Sequence, residues 1–282
     1  MRVDRALAAR GLARSRTHAQ SLIADGLVLL DGRPVDRASV DVGPDQILSL
    51  RDGGDRYVSR GAHKLLGALD AFGDPEAFGD PLVVAGRRCL DAGASTGGFT
   101  QVLLERGASH VLALDVGRGQ LSPVIAAEPR VEAREGVNVR DLEPPGPGEV
   151  VGLVVADLSF ISLRLVVQPL AAWLGGGGDA VLLVKPQFEV GAGRLGRGGV
   201  VRDESARAEA VAQVADAVVT AGLGIRGVAR SVVSGAHGNV EFFLWGSKTW
   251  QAGGETSPHG RSLTLDGSAL RRAIDQEVAG TA

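Results

Sequence analysis

Residues 87–100 read RRCLDAGASTGGFT: a short apolar strand ending in an acid, a turn with three glycines, and the start of an amphipathic stretch. Strand, glycine turn and helix in that order form the opening unit of a doubly wound α/β domain, whose ligand sits over the turn. Gly93, Gly97 and Gly98 allow backbone N–H groups and a helix N-terminus to approach that ligand closely. The spacing is not GxGxxG, because Ala94, Ser95 and Thr96 separate Gly93 from the Gly97-Gly98 pair. There is no GxxxxGK[ST] phosphate loop either.

From residue 60 onward the chain alternates between strand-like and helix-like stretches. The pattern predicts a helix over 61–72, then strand RRCLD (87–91) and helix FTQVLLERG (99–107). Strands HVLALD (110–115), 131–135, VVGLVVAD (150–157) and DAVLLVK (179–185) follow, with helices over 162–174 and 204–221. Two last strands, GIRGVARSVV (224–233) and NVEFFLW (239–245), suggest an antiparallel hairpin at one edge. Continuous Val/Leu runs are those of strands buried on both faces, so the fold class is α/β with a Rossmann-like, mainly parallel sheet. PPGPG (144–148) and GGGG (175–178) read as loops, and 251–264 as a flexible spacer before a final helix over 265–278.

The first fifty residues have a different texture. Two short helices, 2–10 and 15–24, present Leu7, Leu12, Leu22 and Ile23, and are followed by strand-like LVLLDGRPV and DQILSL around the Asp31-Gly32 turn. This α+β unit is small enough to be a binding module. The polar, glycine-rich RDGGDR (51–56) reads as linker sequence at its end. The boundaries are set at 1–56 for the module, 57–60 for a short interdomain linker and 61–282 for the larger domain.

Composition narrows the class. The chain has 282 residues, 44% hydrophobic and 22% charged, ordinary for a folded protein. No apolar run approaches the roughly 20 residues of a membrane helix. MRVDRALAAR lacks the apolar core of a signal peptide, so a cytoplasmic protein with no membrane partner is expected. The formal charge is −3, yet residues 1–20 hold Arg2, Arg5, Arg10, Arg14 and Arg16 against Asp4 alone. That local patch suits RNA phosphates. Only Lys64, Lys185 and Lys248 are lysine among 30 basic residues, so each is a candidate for chemistry that arginine cannot perform. The five histidines are scattered without ligand spacing and the one cysteine, Cys89, reads as core, so no metal is expected.

Four stretches carry chemistry. Asp91, opening the glycine turn, suits the cationic amino acid end of S-adenosylmethionine (SAM) better than a pyrophosphate. Asp115 closes the next strand 24 residues on and is placed for ribose hydroxyls. In VVADLSFISL (154–163) and VLLVKPQFEVG (181–191), Asp157 and Lys185 each end an apolar strand, at the same rim as Asp91. Glu241 interrupts the apolar GNVEFFLW (238–245), and Lys64 stands one turn into a helix in YVSRGAHKLLGAL (57–69), beside Arg60 and His63. The loop VGAGRLGRGGVV (190–201) reads as a lid over RNA phosphates or as a plain mobile loop.

With YVSRGAHKL, LDAGASTGGFT, VVADLSFISL, VKPQFEVG and GNVEFFLW in place, and GLARSRTHAQSLIADGLVLLDGRPV ahead of them, nearly the whole chain resembles the TlyA family. These are ribosomal RNA 2′-O-methyltransferases with an S4-like RNA-binding domain before an FtsJ-like SAM domain, some of which carry a haemolysin label. The resemblance implies a K-D-K-E catalytic tetrad at Lys64, Asp157, Lys185 and Glu241. It implies SAM binding by Asp91, Gly93, Ala94, Ser95, Thr96, Gly97, Gly98, Phe99, Asp115 and Asp157. RNA contacts are expected from Arg2, Arg5, Arg14, Ser15, Arg16, Arg33 and Arg60. The substrate implied is cytidine in 23S rRNA of the 50S subunit and, as in longer members whose C-terminal helix this chain shares, 16S rRNA of the 30S subunit. No obligate protein partner is indicated. The chain departs from the family pattern at Arg118, where an aromatic is expected. Two other readings stay open at this point. One is an RNA-binding ribosome-assembly factor with a vestigial methyltransferase fold, and the other is a nicotinamide-dependent oxidoreductase, for which GxGxxG is missing.

Overall fold

The computed structural model describes residues 1–13, 16–24, 26–50, 57–196, 198–248 and 265–280. They form two compact units, Met1–Ala62 and His63–Ala282. In the first, helices α1 (Val3–Ala9) and α2 (Arg16–Ala24) pack beside a three-stranded antiparallel sheet of β1 (Val28–Leu30), β2 (Arg33–Pro34) and β3 (Leu48–Leu50), in the order β2-β1-β3. Val3, Leu7, Leu22, Ile23, Val28 and Leu48 make its core. The Asp31-Gly32 turn takes positive φ at both residues, as a tight hairpin requires.

Helix α3 (Gly61–Phe72) starts in the last two residues of the first unit and continues as the first element of the second, followed by α4 (Pro75–Phe78). Strand β4 (Arg88–Ala92) leads through the glycine turn into α5 (Gly98–Glu105). Then follow β5 (His110–Asp115), α6 (Pro123–Ala126), β6 (Val131–Glu135), β7 (Val151–Ala156), α7 (Val167–Ala172), β8 (Leu174–Val184), α8 (Glu204–Thr220), β9 (Gly224–Arg230), β10 (Phe242–Ser247) and α9 (Gly267–Ala279). The sheet order is β6-β5-β4-β7-β8-β10-β9. Neighbours from β6 to β8 are parallel, and β10 enters antiparallel to both β8 and β9. The central strands are buried on both faces, which explains their unbroken Val/Leu runs. Helix α9, capped by Asp266 on the N–H groups of Ser268 and Ala269, buries Ile274 and Val278. Its Glu277 accepts the N–H of Arg230, so the edge strand β9 is covered.

Two expectations are corrected here. The GGGG run is no loop but lies inside β8, where Leu174 pairs with Val151, the register shifts, and the Gly178 carbonyl accepts the N–H of Lys248 at 2.8 Å. Gly177, with φ of +77°, supplies the irregular backbone. The helix expected over 162–174 is split into a 3-10 turn at Leu163–Leu165 and the short α7, because Pro169 has no N–H to continue the earlier turn. Lys248 closes that helix by donating to the carbonyls of Ala171 and Leu174, which gives this lysine a structural task. The expected linker 51–56 and spacer 251–264 lie outside the described residues.

At the opposite end of the strands from the glycine turn, Asp179 is buried and accepts from Trp245 Nε1 at 2.9 Å and from Arg87. Removing its carboxylate orphans the buried Trp245 N–H and strips Arg87, which keeps the Gly152 carbonyl, of its ion pair. Asp179→Ala is expected to lower stability by about 3 kcal/mol in urea unfolding, whereas Asp179→Asn, which retains an acceptor, loses less.

Candidate active site

The strand ends that face the glycine turn converge on one rim. The turn itself is stitched to its neighbours: Gly93 and Ala94 donate their N–H groups to the Leu114 carbonyl at 2.8 and 3.0 Å, and Asp157 donates to Ala92 at 3.0 Å. A Cβ on Gly93 would stand 2.5 Å from the Asp157 carbonyl oxygen, so only glycine lets β4 and β7 close here. Gly97 caps α5 with φ of +98°, and Ser95 also takes positive φ. Thr96, Gly98 and Phe99 are buried, and the Phe99 ring packs against Phe243, so its side chain belongs to the core.

Asp91 lies within β4 and is fully buried. Thr100 Oγ1 donates to its Oδ2 at 2.7 Å, while Oδ1 is buried with no hydrogen-bond partner among the described residues. Burial, with Asp157 and Asp115 adding to it and the Thr100 hydrogen bond opposing, pushes this carboxyl up to about 7. Asp115 is engaged on both oxygens, by the N–H groups of Ser95 (2.8 Å) and Gly117 (2.7 Å). Each oxygen keeps a second acceptor direction.

Across the turn stand two ion pairs. Lys185, just past β8, places Nζ 2.6 Å from Asp157 Oδ1, just past β7, and donates to Ser159 Oγ at 2.8 Å. Lys64, in α3, donates to Glu241 Oε2 at 2.7 Å, and Gln187 Nε2 lies 3.3 Å from Glu241 Oε1. Burial would raise the Asp157 carboxyl, but the charges of Lys185 and Lys64 outweigh it and hold the group below its ordinary value. Both lysines therefore act on one carboxylate. Glu241 precedes β10 rather than interrupting it, and it is 1% exposed. Gly235 makes room for it, since a Cβ there would overlap its carboxylate.

Sequence reasoning missed Ser159 and Gln187, which sit inside the quoted motifs but acquire meaning only through tertiary contact. It also missed Glu189, buried and accepting from Leu163 N (2.8 Å) and Ser162 Oγ (2.5 Å), which ties the segment after β8 to that after β7. Phe160 has positive φ, is 92% exposed, and leans on Phe188 with ring centroids 5.2 Å apart. In the loop 190–201, Arg194 is held by Glu209 of α8.

The basic residues divide. Arg5 and Arg33 are exposed on α1 and β2, and Arg60 is exposed just before α3. Arg14 and Ser15 lie outside the described residues. Arg2 and Arg16 are both hydrogen-bonded to Asp4, which the sequence reading did not foresee. Among the described residues no group of His, Cys, Asp and Glu could hold a metal, and no helix is long and apolar enough to cross a membrane.

Comparison with known proteins agrees with this architecture. Residues 57–248 match the FtsJ-like methyltransferase model and residues 1–48 the S4 domain. The chain is 51% identical to the 16S/23S rRNA (cytidine-2′-O)-methyltransferase TlyA of Mycobacterium tuberculosis, over 86% of this chain and 88% of that one. It is 34% identical to Hemolysin A of Brachyspira hyodysenteriae, over 86% and 98%. A solved structure described as a hemolysin from Streptococcus thermophilus superposes with a TM-score of 0.70 at 34% identity, covering 98% of this chain and 95% of that one.

The buried Asp91 has a consequence for stability. Its carboxyl lies near 7 in the fold against an ordinary 3.8, so the stability it contributes is complete below about pH 4 and is lost as pH rises through 7. Asp91→Asn removes that dependence. In urea unfolding of the ligand-free protein, the variant is expected to gain on the parent by on the order of a few kcal/mol between pH 4 and pH 8. A difference constant across that range contradicts the assignment.

Proposed function

The chain belongs to the TlyA group of FtsJ-like methyltransferases with an N-terminal S4 domain, and on that premise we propose that it methylates the ribose 2′-oxygen of cytidine in ribosomal RNA, with SAM as donor. The substrates are 23S rRNA in the 50S subunit and 16S rRNA in the 30S subunit, met in the cytoplasm. The observation that supports this best is the double ion pair Lys185–Asp157 and Lys64–Glu241 at the rim that also holds the glycine turn.

The residues present fit SAM. Asp91 offers a buried oxygen without a partner, suited to a cationic amino group, and the turn from Gly93 to Gly98 leaves backbone close to the ligand. Asp115 keeps acceptor directions for ribose hydroxyls. Bound SAM supplies a methyl group already activated by its sulfonium, so the protein's task is alignment and the handling of one proton.

Lys185 performs the alignment. It is held by its ion pair with Asp157 and its hydrogen bond to Ser159, and a remaining N–H orients the 2′-oxygen so that a lone pair points along the transfer path. Lysine suits the position because its ammonium is compact and, unlike a guanidinium, can lose a proton. The proton that the hydroxyl gives up as its oxygen takes the methyl group passes to Lys185 in its neutral form or to water. Glu241 and Lys64 hold each other, and Lys64 adds its charge to the field at Asp157. Phe160 presents an exposed ring beside this centre, a face on which a base splayed from its helix stacks. The module over 1–56 docks the RNA through Arg2, Arg5, Arg14, Ser15, Arg16 and Arg33, and Arg60 extends that surface.

The test is methyl transfer from labelled SAM to purified, unmodified 50S and 30S subunits, followed by digestion to nucleosides. Label is expected in 2′-O-methylcytidine from both subunits. Label in a base, or no label despite measured SAM binding, overturns the reading.

A further inference from the structure

The one acid of the basic N-terminal stretch is as buried as its core residues. Asp4 is 0% exposed in α1. Its Oδ1 accepts from Arg2 Nε (3.2 Å) and from the backbone N–H of Arg5 (3.0 Å). Its Oδ2 accepts from Arg2 Nη2 (3.2 Å), Arg16 Nε (2.8 Å) and Gln20 Nε2 (3.2 Å). The carboxylate is saturated, and the surrounding cations hold it ionised far below the usual carboxylate range.

One arginine would neutralise this carboxylate, yet it has two. The cluster therefore keeps a net positive charge, and Oδ2 is shared, so the two guanidinium groups stand side by side. Both remain about half exposed, at 42% and 49% of their side chains, while the anchor beneath them is sealed from water. Their other N–H groups meet no partner among the described residues. Guanidinium groups bind phosphate oxygens by paired, planar hydrogen bonds. A pair fixed in advance loses less rotamer freedom on binding than two loose side chains.

We propose that Asp4 presets Arg2 and Arg16 as a double fork for one RNA backbone phosphate, so that an acid strengthens RNA binding. This rests on the reading that the N-terminal module docks ribosomal RNA. The proposal opposes simple charge counting. Deleting a negative charge from a basic patch should tighten RNA binding and steepen its salt dependence. Presetting demands the reverse.

The experiment measures the affinity of the full chain for unmodified 50S subunits over a salt series. Asp4→Asn is expected to weaken binding by about tenfold or more and to flatten the slope of log K against log salt by about 1. Equal or tighter binding overturns the proposal. Because Asp4 is buried, a second variant guards against misfolding: Arg16→Lys keeps the charge but loses the planar fork. It is expected to bind as weakly as Arg16→Ala, and parental affinity would overturn the proposal. The double variant Arg2→Ala/Arg16→Ala separates the two levels. If it binds like the parent, the docking role of these arginines fails. If it loses binding while Asp4→Asn and Arg16→Lys do not, only the role of Asp4 fails.

Discussion

A carboxyl removed from water must be paired or hold its proton, and at the rim of this sheet two are paired. Glu241 is sealed beneath its loop with Lys64 against it, and Asp157 is largely buried with Lys185 against it. The cost of desolvating each acid makes the opposite lysine obligatory, since removing one partner strands a charge. That obligation fixes both ammonium groups in place before any substrate arrives. A donor held rigidly beside a ligand-binding turn can orient a hydroxyl for in-line transfer.

The fold delivers these groups from four separate places in the chain. Parallel strands β7 and β8 end within two residues of each other, and the side chains of Asp157 and Lys185 meet just beyond them. Strand β10 runs the other way beside β8, so its first residue pairs with Val184, and Glu241 just before it reaches the same rim. Helix α3 brings Lys64 from outside the sheet. The glycine turn closes the arrangement, because β4 and β7 can meet above the strands only if Gly93 carries no side chain. The N-terminal unit repeats the same physics on a smaller scale, with a sealed Asp4 organising the cations around it.

Much of this was legible in the residues. Apolar runs such as HVLALD marked buried strands, and acids or lysines at their ends marked the rim, because a parallel sheet puts its chemistry at the carboxyl ends. Other features depended on contacts that periodicity does not carry. Four glycines read as a loop, but a paired Leu174 and the Lys248 N–H drew them into a strand. Glu241 read as an interruption of an apolar strand, whereas β10 starts one residue later, between β8 and β9. Arg2 and Arg16 read as part of a basic patch, and their shared hydrogen bonds to the buried Asp4 have no signature in the sequence. Ser159 and Gln187 have no signature of their own beyond lying next to motif residues, and their hydrogen bonds to Lys185 and Glu241 exist only in three dimensions.

The central claim is that Lys185, held by Asp157 and Ser159, aligns the hydroxyl without being needed to hold the donor. The most direct test compares Lys185→Ala with the parent in two measurements, SAM affinity and the single-turnover rate of transfer to 50S subunits. The account predicts a rate lower by about 100-fold or more, with SAM affinity within about twofold of the parent. A variant that transfers at the parental rate contradicts it, as does one that loses SAM binding in step with transfer.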